Sequence, residues 1–451
     1  MKELLQDVAS RASSYLQSLQ ERKVAPDPAA VAALAAFDGE LPNAPTDPHE
    51  VLALLDTIGS PATMAMAGPR FFGFVIGGAL PAALAADWLT AVWDQNSALY
   101  NATPATARLE QTALRWLLEL FDLPRTAGGA FVTGANVANF VALAAARHAV
   151  LERTGWKVEA DGLFGAPPIT VVVGAEAHPT LIKSLGMLGL GRNRVVRIPV
   201  DTQGRLRVDA LPQLSGPAIV CAQGGNVNTG ACDAVGEIRA RIGPDAWLHV
   251  DGAFGLWARA TPAHAHLVVG VETADSWATD AHKWLNVPYD SGIAFVRDAV
   301  ALSASMAITA EYLPTTSAWR NPSDFTPELS RRARGVPVWA ALRSLGRSGV
   351  AEMIERHCRQ ARRFAEALHT AGFDVLNEIA LNQVLVAFGD AQRTQRVVTA
   401  LQEEGTCWCG GTVWQGRTAM RISVSSWATT DADVARSIEA ILRCARAAQR
   451  A

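Results

Sequence analysis

The chain has only five lysines among its 451 residues, and the last of them, Lys283, stands in the run Thr279-Asp280-Ala281-His282-Lys283-Trp284. Thirty-two positions earlier, Asp251 stands in His249-Val250-Asp251-Gly252-Ala253. A lysine amine can condense with an aldehyde, and an aspartate at a strand end can keep a pyridine nitrogen protonated. Those two services are what pyridoxal 5'-phosphate asks of a protein. Flanked by His282 and Trp284 and followed by Tyr289-Asp290-Ser291-Gly292, Lys283 does not read as a solvated surface lysine. Asp251 follows four β-forming residues and is expected to be buried, where ionising it requires a cationic partner such as a protonated ring nitrogen. Aspartate also caps helices and turns, but Gly252-Ala253-Phe254-Gly255 leaves room for a planar ligand.

Other strand ends carry matching chemistry. A strand over 130–133 runs through Gly134-Ala135-Asn136 into a helix over 137–153, so free amides and a positive helix end would face an anion such as a phosphate. Taken alone, that pattern is shared by any tight strand-to-helix turn. A strand over 169–173 ends at Gly174-Ala175-Glu176-Ala177-His178-Pro179, placing His178 where a flat imidazole could stack on a pyridine ring; a capping or core role is equally open to it.

The elements that must position these residues follow from composition and periodicity. With 49% apolar and 18% charged residues, 13 Trp and 36 Gly, the chain is globular, and its length predicts a large domain with a smaller partner. A net charge of −3 and 35 arginines scattered among acids exclude a nucleic-acid partner. No stretch reaches about twenty apolar residues, and the amphipathic start, with Glu3, Asp7 and Arg11, lacks the features of a secretory signal; no membrane partner and a cytoplasmic location are expected. The six cysteines lack zinc-ligand spacing and read as free thiols, with no metal site. Residues 1–60 form an N-terminal helical segment with a turn at Pro42, Pro45 and Pro48. Over 61–335, strands at 130–133, 169–173, 195–198, 218–221, 247–250, 276–279 and 292–296 alternate with helices. The fold class is therefore α/β, with a mostly parallel seven-stranded sheet. Residues 336–451 form a small α+β domain: a helix over 350–370, strands at 373–376, 384–388 and 420–424, and a closing helix from Asp431.

Thr133-Gly134-Ala135-Asn136-Val137-Ala138-Asn139, His178, Asp251-Gly252-Ala253 and His282-Lys283-Trp284 together resemble the landmarks of the group II pyridoxal phosphate-dependent amino acid decarboxylases, of fold type I. The similarity extends to Pro69-Arg70-Phe71-Phe72-Gly73-Phe74, to Thr103-Pro104 before Leu109-Glu110, and to Met420-Arg421-Ile422-Ser423. It implies that Lys283 bonds the cofactor as a Schiff base, Asp251 pairs with the ring nitrogen, Ala253 lies against the ring and His178 stacks on its other face. It also implies that Gly134, Ala135, Asn136 and His282 contact the phosphate, that Asn226 lies near the ring hydroxyl, and that Arg421 holds the substrate carboxylate. Tyr312, twenty-nine residues after Lys283, matches a mobile-loop tyrosine that reprotonates the substrate carbon from the neighbouring subunit, which implies a homodimer with its active site at the interface.

Asn136 stands where this family commonly has Ser or Thr, and Thr133 is a second candidate for that contact. Around the substrate pocket the chain reads Phe74-Val75-Ile76-Gly77-Gly78 and Trp93-Asp94-Gln95-Asn96, more polar than in the aromatic-accepting relatives; Phe74 and Asn96 are the candidate substrate contacts. The implied reaction is decarboxylation of an L-amino acid, with the amino acid left open. Oxidative conversion to an aldehyde, transamination and carbon-carbon lysis on the same scaffold remain alternatives, as does a non-catalytic protein that binds the cofactor. Tyr312 and Arg421 favour the decarboxylase.

Overall fold

A computed structural model describes residues 1–308 and 319–450. They divide into two compact units, one of Ala79–Ala361 with Asn377–Gln383, the other of Met1–Gly78, Arg362–Leu376 and Val384 onward. This grouping does not follow the three consecutive stretches expected from the sequence. The N-terminal helices share a unit with the C-terminal α+β residues. The reason is visible at Arg70, whose buried guanidinium pairs with Asp433 at 3.0 Å and donates to the carbonyls of Gln20 and Thr406.

The first unit is built on a seven-stranded sheet of β1 (Gly128–Val132), β2 (Thr170–Gly174), β3 (Val196–Ile198), β4 (Ala218–Gln223), β5 (Trp247–Asp251), β6 (Ser276–Asp280) and β7 (Gly292–Val296), in the order β1-β7-β6-β5-β4-β2-β3. Only β7 runs against its neighbours, so the carboxyl ends of β1, β2, β4, β5 and β6 share one edge. Strands buried along their whole length, such as β1, β5, β6 and β7, are what helices on both faces of a parallel sheet demand. The helix Ala135–Glu152, rich in alanine and buried over most of its surface, packs across β5, β6 and β7. Between β1 and that helix the chain crosses the first residue of β7 so closely that a Cβ on Gly292 would lie 2.4 Å from the Gly134 backbone, so only glycine fits there. A further helix, Gly335–Thr370, starts well before the 350–370 expected and breaks at Gly346, whose φ of 62° is left-handed.

The second unit holds a four-stranded sheet of β8 (Asp374–Val375), β9 (Gln383–Ala387), β10 (Gly410–Trp414) and β11 (Arg417–Ser423), in the order β10-β11-β9-β8. β10 was not expected from the sequence. It pairs with β11 through the two-residue turn Gln415-Gly416, both residues at positive φ, a hairpin signal muted by Gln standing where Asn or Asp usually does. The closing helix spans Asp431–Arg450. The motif Pro69-Arg70-Phe71-Phe72-Gly73-Phe74 packs this unit together: Phe71 and Phe74 stack on Trp408, and a Cβ on Gly73 would collide with the same indole. All six cysteines are free thiols, five of them buried.

Candidate active site

Asp251 ends β5 and is 6% exposed. Its Oδ2 accepts the Asn139 amide at 3.1 Å and its Oδ1 accepts the Ala253 N–H at 3.3 Å. Burial pushes its carboxyl above the usual range, and the charges of His178 and Lys283 pull against that shift. Residues that follow β2 and β6 thus bear on one buried carboxylate at the end of β5. His178 caps the helix Pro179–Met187, its Nδ1 accepting the Thr180 N–H at 3.3 Å and lying 2.6 Å from Thr180 Oγ1, which fixes the plane of the imidazole.

Asp280, the last residue of β6, links three of the other groups. Its Oδ2 pairs with Lys283 Nζ at 2.9 Å, its Oδ1 accepts the Ala135 N–H at 2.6 Å, and His282 Nε2 lies 3.6 Å from Oδ1. His282 accepts the Ser291 N–H at Nδ1 and stacks on Tyr289 with ring centres 4.2 Å apart. Burial lowers the His282 pKa, and burial beside Asp280 pushes the Tyr289 hydroxyl up to about 12. Behind Lys283 the fully buried Trp284 donates its indole N–H to His357, anchoring the loop to the Gly335–Thr370 helix.

The structure therefore brings together Gly134, Ala135, His178, Asp251, Ala253, His282 and Lys283. Thr133 and Asn136 flank the same turn. Asn226 is tied into its own loop: its amide donates to Glu176, two residues before His178, at 3.0 Å, and its carbonyl accepts the Asn228 and Thr229 N–H groups. Asn96 likewise accepts the Arg331 N–H at 2.9 Å, a structural clamp. Phe74, 59% exposed, stacks on Trp408, and Arg421 sits half-buried on β11; both belong to the other compact unit. Tyr312 lies outside the described residues.

Residues 32–389 match the model of the pyridoxal-dependent decarboxylase conserved domain. The chain belongs to this family. As a pyridoxal-dependent decarboxylase it is 28% identical over 403 residues to tryptophan decarboxylase 1 of Oryza sativa subsp. japonica, covering 80% of this chain and 77% of that one. It is also 28% identical over 423 residues to the L-2,4-diaminobutyrate decarboxylase of Rhizobium meliloti (strain 1021), covering 88% and 82%. The crystal structure of Oryza sativa TDC with PLP and tryptamine superposes with a TM-score of 0.90 at 24% identity, over 99% of this chain and 97% of that one. The decarboxylase is thus a fold type I carboxy-lyase of amino acids, and its cofactor is pyridoxal phosphate.

The residues at the decarboxylase's sheet edge fit that cofactor. Ser291 Oγ, a hydroxyl able to donate to a phosphate oxygen, is buried without a hydrogen-bond partner among the described residues. Ser291 immediately precedes Gly292, which touches Gly134, so this orphaned donor borders the turn where a phosphate would lie. Sequence reasoning gave no role to Asp280, Asn139 or His249, although each lies in a run it singled out. Their signals were present: Asp280 is one helical turn's spacing before Lys283, and His249 shares a strand face with Asp251 two residues on.

Proposed function

We propose that the chain converts an L-amino acid to its amine and CO2, with Lys283 carrying the cofactor through its amine and Asp251 holding a proton on the ring nitrogen. One observation carries the assignment of roles: Asp251 lies buried at the end of β5, at the sheet edge where β2 leads into His178 and β6 into Lys283, and both act on its carboxyl. When bound, pyridoxal phosphate supplies a conjugated sink for the electron pair left by the departing carboxylate. Asp251 deepens that sink by stabilising a positive nitrogen in a site where burial would otherwise favour the neutral form. His178, its plane fixed by Thr180, offers a flat face for the ring, and Ala253 the opposite wall. The amides of the Ala135–Glu152 helix that follow Ala135, with the Ser291 hydroxyl, would hold the phosphate. For Arg421 and Tyr312 the roles rest on the family resemblance alone: holding the substrate carboxylate through forked donors and returning the proton to Cα.

The tryptophan and 2,4-diaminobutyrate named for two relatives bracket the substrate class proposed here: an L-amino acid with a free α-carboxylate and a side chain of medium size. A homodimer is part of the same proposal. Its support is the helix Lys2–Ser18, which buries no residue in the single chain, and the apolar Leu5, Leu16, Phe37, Leu54 and Leu55 exposed along residues 1–55.

The test is to incubate the pyridoxal phosphate-loaded protein with the twenty common amino acids, dopa, 5-hydroxytryptophan and 2,4-diaminobutyrate, measuring CO2 and product mass. Amine and CO2 in equal amounts support the proposal. Aldehyde or keto acid in place of amine overturns it.

A further inference from the structure

Behind Asp251 lies a chain of buried side chains that the reaction itself does not use. Trp247 Nε1 donates to Ser276 Oγ at 2.8 Å, and Ser276 Oγ is 2.9 Å from His249 Nδ1. His249 Nε2 is 2.8 Å from Asn139 Oδ1, and Asn139 Nδ2 donates to Asp251 Oδ2 at 3.1 Å. Ser276, His249 and Asn139 are 0% exposed and Trp247 is 2% exposed, so these bonds are shielded from bulk solvent. Strand pairing makes the chain possible: His249 sits opposite Ser276, while Trp247, His249 and Asp251 share one face of β5, against which the Ala135–Glu152 helix lays Asn139.

The direction of every proton in this chain follows from one residue. An indole N–H can only donate, so Ser276 Oγ must accept from Trp247. The serine's own hydrogen then goes to His249 Nδ1, its other close partner among the described residues. That leaves the imidazole hydrogen on Nε2, donating to Asn139 Oδ1. Asn139 must therefore turn its NH2 toward Asp251, whose Oδ2 is left as an acceptor, a role that an ionised carboxylate fills more strongly than a neutral acid. In the opposite sense, a protonated Asp251 donates to Asn139, Asn139 to Nε2, and Nδ1–H to Ser276. The serine hydroxyl would then receive two donors, and its own hydrogen would be buried without an acceptor. Burial holds His249 neutral, with its pKa lowered to about 3, so the ring offers one donor and one acceptor, as the relay requires.

We infer that Trp247, Ser276, His249 and Asn139 form a one-way hydrogen-bond relay whose function is to keep Asp251 ionised, and so to keep the cofactor's ring nitrogen protonated. None of the four touches substrate; they are positioning residues, and the inference rests on the proposed pairing of Asp251 with the ring nitrogen. Among the described residues, the other titratable groups acting on Asp251 are Cys221 on β4, His178 and Lys283. Burial keeps the Cys221 thiol neutral, so the relay and the Ala253 N–H, with the electrostatic pull of His178 and Lys283, are what oppose protonation of the aspartate.

The experiment uses holoenzyme reconstituted with pyridoxal phosphate labelled with 15N at the ring nitrogen, in the wild type and in W247F and S276A. Cofactor occupancy and borohydride fixation to Lys283 are checked first. If the wild type fails these checks, it is the proposed site that fails. With occupancy established, the wild-type ring nitrogen is expected to be protonated. In both variants its titration midpoint is expected to fall by about one pH unit, a tenfold loss of proton affinity, with far-UV circular dichroism unchanged. A shift unmoved in fully loaded W247F and S276A overturns the relay. If neither variant folds, the wild type decides through the His249 side-chain 15N shifts: an Nε2–H tautomer is required, and an Nδ1–H tautomer overturns the inference.

Discussion

Replacing Glu110 should destabilise the sheet unit far more than a typical ion-pair mutation. Arg331 Nη1 pairs with Glu110 Oε2 at 2.8 Å and donates to the Ser97 carbonyl, while Nη2 donates to the Phe131 carbonyl in β1. The two side chains are 0% and 2% exposed, so solvent neither screens the pair nor rescues one partner left alone. Glu110→Ala leaves a buried guanidinium uncompensated, a loss of about 3–5 kcal/mol. At about 2–4 °C per kcal/mol for a unit of this size, the thermal midpoint should fall by about 10 °C. The double variant Glu110→Leu with Arg331→Met replaces both charges by apolar volume and should recover most of that loss. Thermal unfolding of the wild type, Glu110→Ala, Glu110→Leu, Arg331→Met and the double variant, followed by circular dichroism, completes the cycle. A single-variant loss below about 1 kcal/mol, the range of an exposed pair, would refute the reasoning.

Lys283→Ala should abolish borohydride fixation of the cofactor together with CO2 release, checked by intact mass after reduction. Gly292→Ala should push β7 off the Gly134 backbone, costing at least about 1–3 kcal/mol and weakening cofactor affinity, checked by fluorescence titration with pyridoxal phosphate. Asn96→Ala should lower the unfolding midpoint and leave the substrate profile unchanged, since its carbonyl is occupied by Arg331; an altered profile would restore the substrate role first expected for it. For pH, His249 is depressed to about 3 when folded against an ordinary 6.5, so the unfolded chain binds more protons between those values. Its contribution to stability is present above about pH 6.5 and is lost as pH falls toward 3. His249→Gln should therefore show a smaller drop than the wild type across that window in denaturant unfolding.

The seven strands of the sheet and the gathering of candidate residues at its edge were legible in the sequence because both are written locally. Apolar runs bounded by Gly and Asp mark strand ends, and strand ends carry Gly134, His178, Asp251 and Lys283. What was not legible depends on partners far apart in the chain. Asn226 and Asn96 stand in suggestive runs, yet their amides are taken by Glu176 and by Arg331, contacts across 50 and 235 positions. The relay behind Asp251 joins residues up to 112 positions apart, and nothing in local composition ties Asn139 to His249. β10 was missed for the opposite reason: its signal is local, but Gln415 conceals the turn.

The ion pair between Arg70 and Asp433 spans 363 positions, and it belongs to the unit that contains both the first and the last described stretches of the chain. On a ribosome adding about 5–20 residues per second, Arg70 emerges about 20–70 s before its partner. Within that interval the sheet residues from Ala79 to Ala361 are already made, whereas Phe71, Phe72 and the N-terminal helices have no completed surface to pack against. Birth order is therefore the reverse of nesting: the middle of the polypeptide can mature first, and the beginning must be kept from self-association until the end arrives. Heterologous expression should respond accordingly, with slower synthesis or added holdase chaperone raising the yield of folded protein, and with loss of the Asp431–Arg450 helix harming the first eighty residues most.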